Sequence, residues 1–351
     1  MKRMFLVIAA AAFAVMTSCA ETPADIKDKD GNGVSIYDNF TLAENVSVPT
    51  VNSVRTYSFV QAGDMHEKFD ELRSLFISDD VYSVSDCVWN DGEYPNNYFY
   101  MNESGQNLVL APNGFFSYVS TQEYPEISES RLELTVFLCG DYDDVEITLD
   151  GRKDKLSTAV ANAEQYLKSV CDIFGQNCAT KLQYAKIYKL DNGDNYLRFR
   201  APLCFDGILV NSVSDLSAET ENSDLFWGFE VGMTAFDSVC FMDNVNGGVI
   251  IPESSKEIEN PISCDEALKI ASDYLSENGG YTVYDIELEN FLTVESYEDT
   301  WGDWNIFMYQ CGAKYSSQAY WAFYFSVADN AQKICYVNAQ TGEPFILFNN
   351  D

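Results

Sequence analysis

The sequence predicts an α+β protein of tandem modules, each with one amphipathic helix packed on an antiparallel β-sheet. Two observations carry this expectation. First, two helix patterns overlay at an offset of 108 residues: Ala159 meets Ala267, Ala163 meets Ala271, Tyr166 meets Tyr274 and Leu167 meets Leu275. Second, a strand–turn signature is written twice, about 94 residues apart. In each copy a Trp-x-Phe opens one strand (Trp227 and Phe229; Trp321 and Phe323). In each, a Cys sits among apolar residues of the next strand (Cys240; Cys335), and a turn closing on Gly follows (Asp243 to Gly247; Asn338 to Gly342). Repeated units in one order read as duplication.

Taken in order, residues 1–19 read as a lipoprotein signal peptide. Lys2 and Arg3 precede an apolar run from Met4 to Met16, which is too short to span a bilayer comfortably. Thr17-Ser18-Cys19 then resembles a bacterial lipobox, with Met16 where Leu is usual. That resemblance implies a diacylglycerol on Cys19 and a protein tethered to the extracytoplasmic face of the cell membrane. Residues 20–52 read as a polar linker. Inside it Asp28-Lys29-Asp30-Gly31-Asn32-Gly33 imitates the start of an EF-hand loop. The twelfth position is Asn39, where a bidentate carboxylate is needed. Asp28, Asp30 and Asn32 are therefore candidate metal ligands, and a solvated linker is the favoured reading.

Residues 53–150 form an N-terminal α+β region. Asp64 with Glu67 makes a capping-box pattern, and Phe69, Leu72 and Phe76 recur at helical spacing, predicting a helix over 64–77. Short apolar runs at 98–101, 108–111 and 115–119 read as strands. Leu132, Leu134, Val136 and Leu138 alternate, and Val145, Ile147 and Leu149 follow across Gly140-Asp141 as if completing a hairpin.

Module 1 spans 151–256. Its helix stripe is Leu156, Val160, Ala163, Leu167 and Val170. Module 2 spans 257–351. Ser263 with Glu266 caps its helix, and Gly279-Gly280 stops it. Strands are expected at 184–190, 196–201, 208–213, 225–231 and 238–242 in the first, and at 283–292, 305–311, 320–327 and 333–338 in the second.

The turn Tyr336-Val-Asn-Ala-Gln-Thr-Gly-Glu343, with a capped helix opening the module, resembles the PepSY-type (peptidase-propeptide-like) domain, with Asn338 in place of the usual Asp. The upstream copy, Phe241 to Gly248, is more divergent. The resemblance covers residues 151–351. It implies non-catalytic modules of inhibitory or protein-interaction type.

The totals narrow function. The formal charge of −34 repels phosphate backbones, so nucleic-acid binding is not expected. Hydrophobic content of 46% argues for folded cores. Removing Cys19 from ten Cys leaves an odd number, and Cys171 with Cys178 is the close pair a disulfide could join. His66 is the sole His and is expected on exposed helix surface, so it is the only candidate base for a Ser/His triad, and a zinc site has little to build from. No Gly-x-Ser-x-Gly or His-Glu-x-x-His occurs. No cofactor is expected. Trp301 and Trp304, beside a Gly-Asp turn, are candidate ligand-contact aromatics. The expectation is a non-enzymatic envelope lipoprotein that binds an envelope or extracellular protein. A glycan-binding lipoprotein and a hydrolase are the alternatives.

Overall fold

A computed structural model describes residues 24–25, 35–37, 40–43, 46–49, 53–63, 65–77, 88–89, 97–125, 131–138, 142–175, 182–205, 208–212, 228–245, 249–275, 281–296, 314–326 and 332–348. The strands begin with β1 (Ala24–Asp25), β2 (Ser35–Tyr37), β3 (Phe40–Leu42), β4 (Ser47–Val48) and β5 (Arg55–Gln61). A 3-10 turn, His66–Lys68, leads into α1 (Phe69–Phe76). Next come β6 (Val88–Trp89), β7 (Asn97–Met101), β8 (Gln106–Leu110), β9 (Phe116–Ser120), β10 (Leu132–Phe137), β11 (Glu146–Leu149) and β12 (Arg152–Lys155), then α2 (Leu156–Phe174). After it run β13 (Tyr184–Lys189), β14 (Asn195–Phe205), β15 (Ile208–Ser212), β16 (Gly228–Met233), β17 (Phe241–Val245) and β18 (Ile250–Glu257). Last are α3 (Cys264–Leu275), β19 (Tyr281–Ser296), β20 (Lys314–Ser326), β21 (Gln332–Asn338) and β22 (Pro344–Phe348).

Two compact units result. One takes the described residues of Thr56–Lys256 and Asn290–Gln318; the other takes those of Met1–Arg55, Glu257–Glu289 and Ala319–Asn349. The first is organised by an antiparallel sheet in the order β6-β7-β8-β9-β17-β16-β14-β13-β10. Alternation sorts its residues by face. Leu197 and Phe199 of β14, Phe229 and Val231 of β16 and Met242 of β17 point to the core, where α1 and α2 also bury their stripes. Leu156, Ala159, Val160, Ala163, Leu167, Val170, Cys171 and Phe174 are all buried on α2. Each fully buried large aliphatic there is worth about 1.5–3 kcal/mol. Gly175, at φ 69, ends the helix in the left-handed conformation.

Two local features steer the strands. Asp150 and Gly151, at φ 48 and 69, close β11 onto β12 in a two-residue hairpin. That hairpin takes β11 for itself, so the hairpin expected between 131–139 and 145–149 does not form: β10 pairs with β13 instead. Pro202 cannot donate to a ladder. At that residue β14 stops pairing with β16, and from Leu203 it pairs with β15.

In the second unit β3 pairs in parallel with the start of β19, and β20, β21 and β22 continue antiparallel. Phe40 and Leu42 are buried, and Phe40 packs against Tyr281 and Phe325. These apolar residues lie within the stretch read as a polar linker. The α3 capping box forms: Glu266 N donates to Ser263 Oγ at 3.3 Å, and Ser263 N donates to Glu266 Oε2 at 3.0 Å. The turn after β21 is held by Asn338 Oδ1, which accepts from the backbone N–H of Gln340 and of Thr341, each at 2.9 Å. Ile262 N donates to Ala339 O at 2.8 Å, joining this turn to the chain entering α3. Gly342 sits at φ 76, and an added Cβ would lie 2.9 Å from Ile262 Cδ1. Gly342→Val should therefore lower the unfolding free energy by about 2 kcal/mol or more in urea titration, because it combines left-handed strain with a clash. An unchanged midpoint would show the turn to be slack.

The tandem helix-on-sheet expectation is overturned. Sheet predominates, and among the described residues there are three α-helices. The sheet does not close within residues 151–256, since β17 pairs with β9 and the ladder runs on to β6. The two strand–turn copies also differ in register. Phe229 faces Asn244, whereas Phe323 faces Cys335. Equivalent modules would place Phe229 opposite Cys240. Tyr166 packs on Phe76, while its counterpart Tyr274 is 51% exposed. The physical reason is that alternation fixes which residues share a face but not which strand lies alongside. The helix expected at 64–77 is shorter, a 3-10 turn and then α1, and Asp64 lies outside the described residues.

Candidate functional site

The outer face of the first unit's sheet, opposite the helices, carries an unusual concentration of charge. Register places the residues side by side. Tyr184 pairs with Arg200, Lys186 with Arg198, Arg200 with Glu230, and Glu230 with Asp243. All four strands owe this to alternation: the intervening residues Ala185, Phe199, Val231 and Met242 are in the core.

Glu230 is the hub. It is 3% exposed. Arg198 Nε donates to its Oε2 at 2.9 Å, and Arg198 Nη2 donates to the same oxygen. Arg200 Nε donates to Oε1 at 3.0 Å. Two guanidinium groups thus share one carboxylate, and charge-assisted bonds of this kind are the strong ones. Arg200 also lies over the Tyr184 ring, 5.8 Å from its centroid. Asp243, on the far side of Glu230, is different. Its Oδ1 is closed off from solvent and has no hydrogen-bond partner among the described residues. Burial, with the nearby Glu230 charge, pushes its carboxyl up to about 7 against the pull of Arg198 and Arg200. Tyr184, Lys186, Arg198, Arg200 and Glu230 surround a recess of about 20 Å³.

Next to this charge lies an aromatic patch. Tyr188, Tyr196 and Cys240 form a small cluster with Leu132, Leu190 and Phe241 against it. Tyr196 Oη has no hydrogen-bond partner among the described residues and fills the space over Gly232, where an added Cβ would lie 2.4 Å from it. Gly232 is thus required by close approach rather than by backbone conformation.

A second buried carboxylate sits in the other unit. Glu289 is 0% exposed, and the Tyr324 and Tyr336 hydroxyls donate to its two oxygens, Tyr336 at 3.3 Å. Burial, reinforced by the Glu289 charge, raises both phenols well above their usual range. This is a closed polar network inside the core.

Few of the candidate site residues singled out in the sequence are among the described residues. Cys19, Asp28, Asp30, Asn32, Trp301 and Trp304 are all outside the described residues, as are Cys178 and Trp227. Trp321 is buried, its Nε1 donating to Ile262 O at 2.8 Å. Cys171 is a buried free thiol. His66, expected on open helix surface, lies half-buried on the 3-10 turn, edge-on to Tyr98 at 4.5 Å between centroids. Among the described residues no group of three or more His, Cys, Asp or Glu could hold a metal ion.

Sequence reasoning missed the Arg198–Arg200–Glu230–Asp243 cluster. A signal was present: Arg198 and Arg200 interrupt the apolar strand Tyr196 to Ala201, and Glu230 interrupts Phe229 to Val231. Charges spaced by two inside apolar strands mark a second, polar face. Their convergence needed the register.

No protein-family model and no curated protein matches this chain. Among solved structures it is similar to the crystal structure of an uncharacterized protein from Eubacterium rectale, at 13% identity, covering 88% of this chain and 91% of that one, with a TM-score of 0.47.

Proposed function

We infer that this chain is a lipid-anchored protein of the bacterial envelope that acts by binding a partner rather than by catalysis. The observation that carries the reading is the order basic pair, apolar run, Thr17-Ser18-Cys19. Cys19 is the attachment point, and one lipidated residue holds the folded part outside the membrane. The binding role rests on the chemistry of the chain. Its one His and the missing nucleophile motifs leave no assembled acid–base pair in the sequence. The PepSY-type resemblance rests on the turn Tyr336 to Glu343 and the capped helix that opens the segment, and the role it suggests is protein interaction. The partner is an envelope or extracellular protein with cationic surface to suit a chain of charge −34.

Two measurements test this. Cys19→Ala should move the protein from the membrane fraction to the soluble fraction almost completely. A variant that stays membrane-bound sinks the anchor. Crosslinking on intact cells should then join the anchored protein to one reproducible envelope protein. Turnover of an ester, peptide or glycoside panel by the purified chain would sink the non-catalytic reading.

A further inference from the structure

We propose that the recess between β13, β14 and β16 binds a single carboxylate group, with Arg198 as its principal donor and Lys186 and Arg200 supplying charge. Three observations carry this. First, the lining inverts the composition of the chain. Overall, 21 Lys and Arg face 55 Asp and Glu, yet Lys186, Arg198 and Arg200 line this recess with Glu230 as its one acid. Second, the arrangement runs against sheet stability. Lys186 lies directly opposite Arg198 across the ladder, and Arg200 is two residues along on the same face. Like charges directly opposite destabilise a sheet, and a chain rich in acids had other residues to place there. Third, Arg198 retains donors. A guanidinium carries five N–H groups. Arg198 directs Nε and Nη2 to Glu230, and its side chain is 36% exposed, so its outer edge is presented to a ligand. Glu230 holds the guanidinium in place, which reduces the freedom lost when a ligand docks.

Size and charge select the ligand. About 20 Å³ admits one or two oxygen-sized groups, the size of a carboxylate end. With Lys186, Arg198 and Arg200 against Glu230, the lining is net positive and suits a small anion. Asp243, one strand beyond Glu230, adds a pH dependence. It faces Glu230 on β16 and Arg198 and Arg200 on β14, and Ser117 of β9 lies opposite it. Protonating it removes a negative charge near the recess, so affinity should rise as pH falls from about 8 to about 6, where a simple carboxylate remains ionised.

The inference rests on reading the chain as a binding protein, and localisation plays no part in it. Failure here leaves the Cys19 fractionation result standing, and the converse holds. The test is titration of the purified full chain by calorimetry or NMR with acetate, with inorganic phosphate, and with a peptide whose sole carboxylate is its C-terminus. Acetate and the peptide should bind at one site. Tighter binding of the peptide identifies a chain terminus as the source, and equal binding identifies a small free acid. Arg198→Gln and Lys186→Met should each weaken carboxylate binding by about tenfold. Lys186 makes none of the Arg198 and Arg200 bonds to Glu230, so Lys186→Met, with its urea midpoint measured alongside, separates a lost ligand contact from a lost fold. Asp243→Asn should flatten the pH dependence. Absence of acetate and peptide binding, phosphate binding in their place, or full affinity in a folded Lys186→Met variant would each overturn the assignment.

Discussion

Glu230→Ala should lower the unfolding free energy of the first unit by about 3 kcal/mol, measured by urea titration of the whole chain. Removing the acid leaves two guanidinium groups without the carboxylate that organises them, beside Lys186 across the ladder. The size follows from exposure. Glu230 is 4% exposed at its side chain and Arg200 17%, so neither is well hydrated in the folded chain. Arg198, at 36%, can swing toward water and recover part of the loss. The cost therefore falls at the lower end of what a broken buried pair gives. Glu230→Gln, which keeps an acceptor oxygen and loses the charge, should cost about half as much. The informative control replaces the whole set: Arg198→Met, Arg200→Met and Glu230→Leu together. Replacing buried ion pairs by apolar residues of similar volume is often neutral or stabilising. If the triple variant is as stable as the parent, the charges are kept for something other than stability. A Glu230→Ala loss below about 1 kcal/mol would show that the carboxylate is not the hub.

The same cluster shows how far residues alone carry a reading. The α2 stripe and the α3 capping box were readable because helix contacts are local: spacing and a Ser-x-x-Glu pattern contain the whole interaction. Strands such as β8, β9, β13 and β21 were readable as strands, β5, β12, β18 and β22 were not, and no strand's partner was. Nothing in the run Phe116 to Ser120 says that it will lie beside Phe241 to Asp243, more than a hundred residues on. Pairing of that kind depends on the closure of long loops and on which edges remain open, and neither is written in local periodicity. Apparent duplication was the casualty. Apolar residues on one strand face and a closing Gly are common to core-facing hairpins, so the shared pattern does not require duplication. The register, Phe229 opposite Asn244 and Phe323 opposite Cys335, separates the two copies. The site was hidden for the same reason. Arg198, Glu230 and Asp243 stand on three strands, and only the ladder brings them together.

Asp243→Asn should stabilise the protein at pH 8, by an amount of order 2–4 kcal/mol, and the gain should shrink toward zero near pH 4. The sign comes from proton binding. Burial holds the Asp243 carboxyl up to about 7 in the folded chain, against an ordinary value of 3.8. Between those values the folded state binds the proton and the unfolded state does not. Stability contributed by this group is therefore fully present below about pH 4, falls as pH rises, and is lost once pH passes about 7. Above that, folding confines a carboxylate whose Oδ1 finds no hydrogen bond among the described residues and whose neighbour Glu230 repels it, with Arg198 and Arg200 compensating in part. Asparagine has nearly the same shape, never ionises and brings two donors beside the Glu230 carboxylate. The high negative charge of the chain also destabilises it as pH rises, but parent and variant share that effect, so their difference isolates position 243. Urea unfolding of both proteins at pH 4, 6 and 8 would decide. Equal gains at all three values, or a variant less stable than the parent at pH 8, would mean that Asp243 is ionised and satisfied in the folded chain. Its proposed influence on carboxylate binding would fall with it.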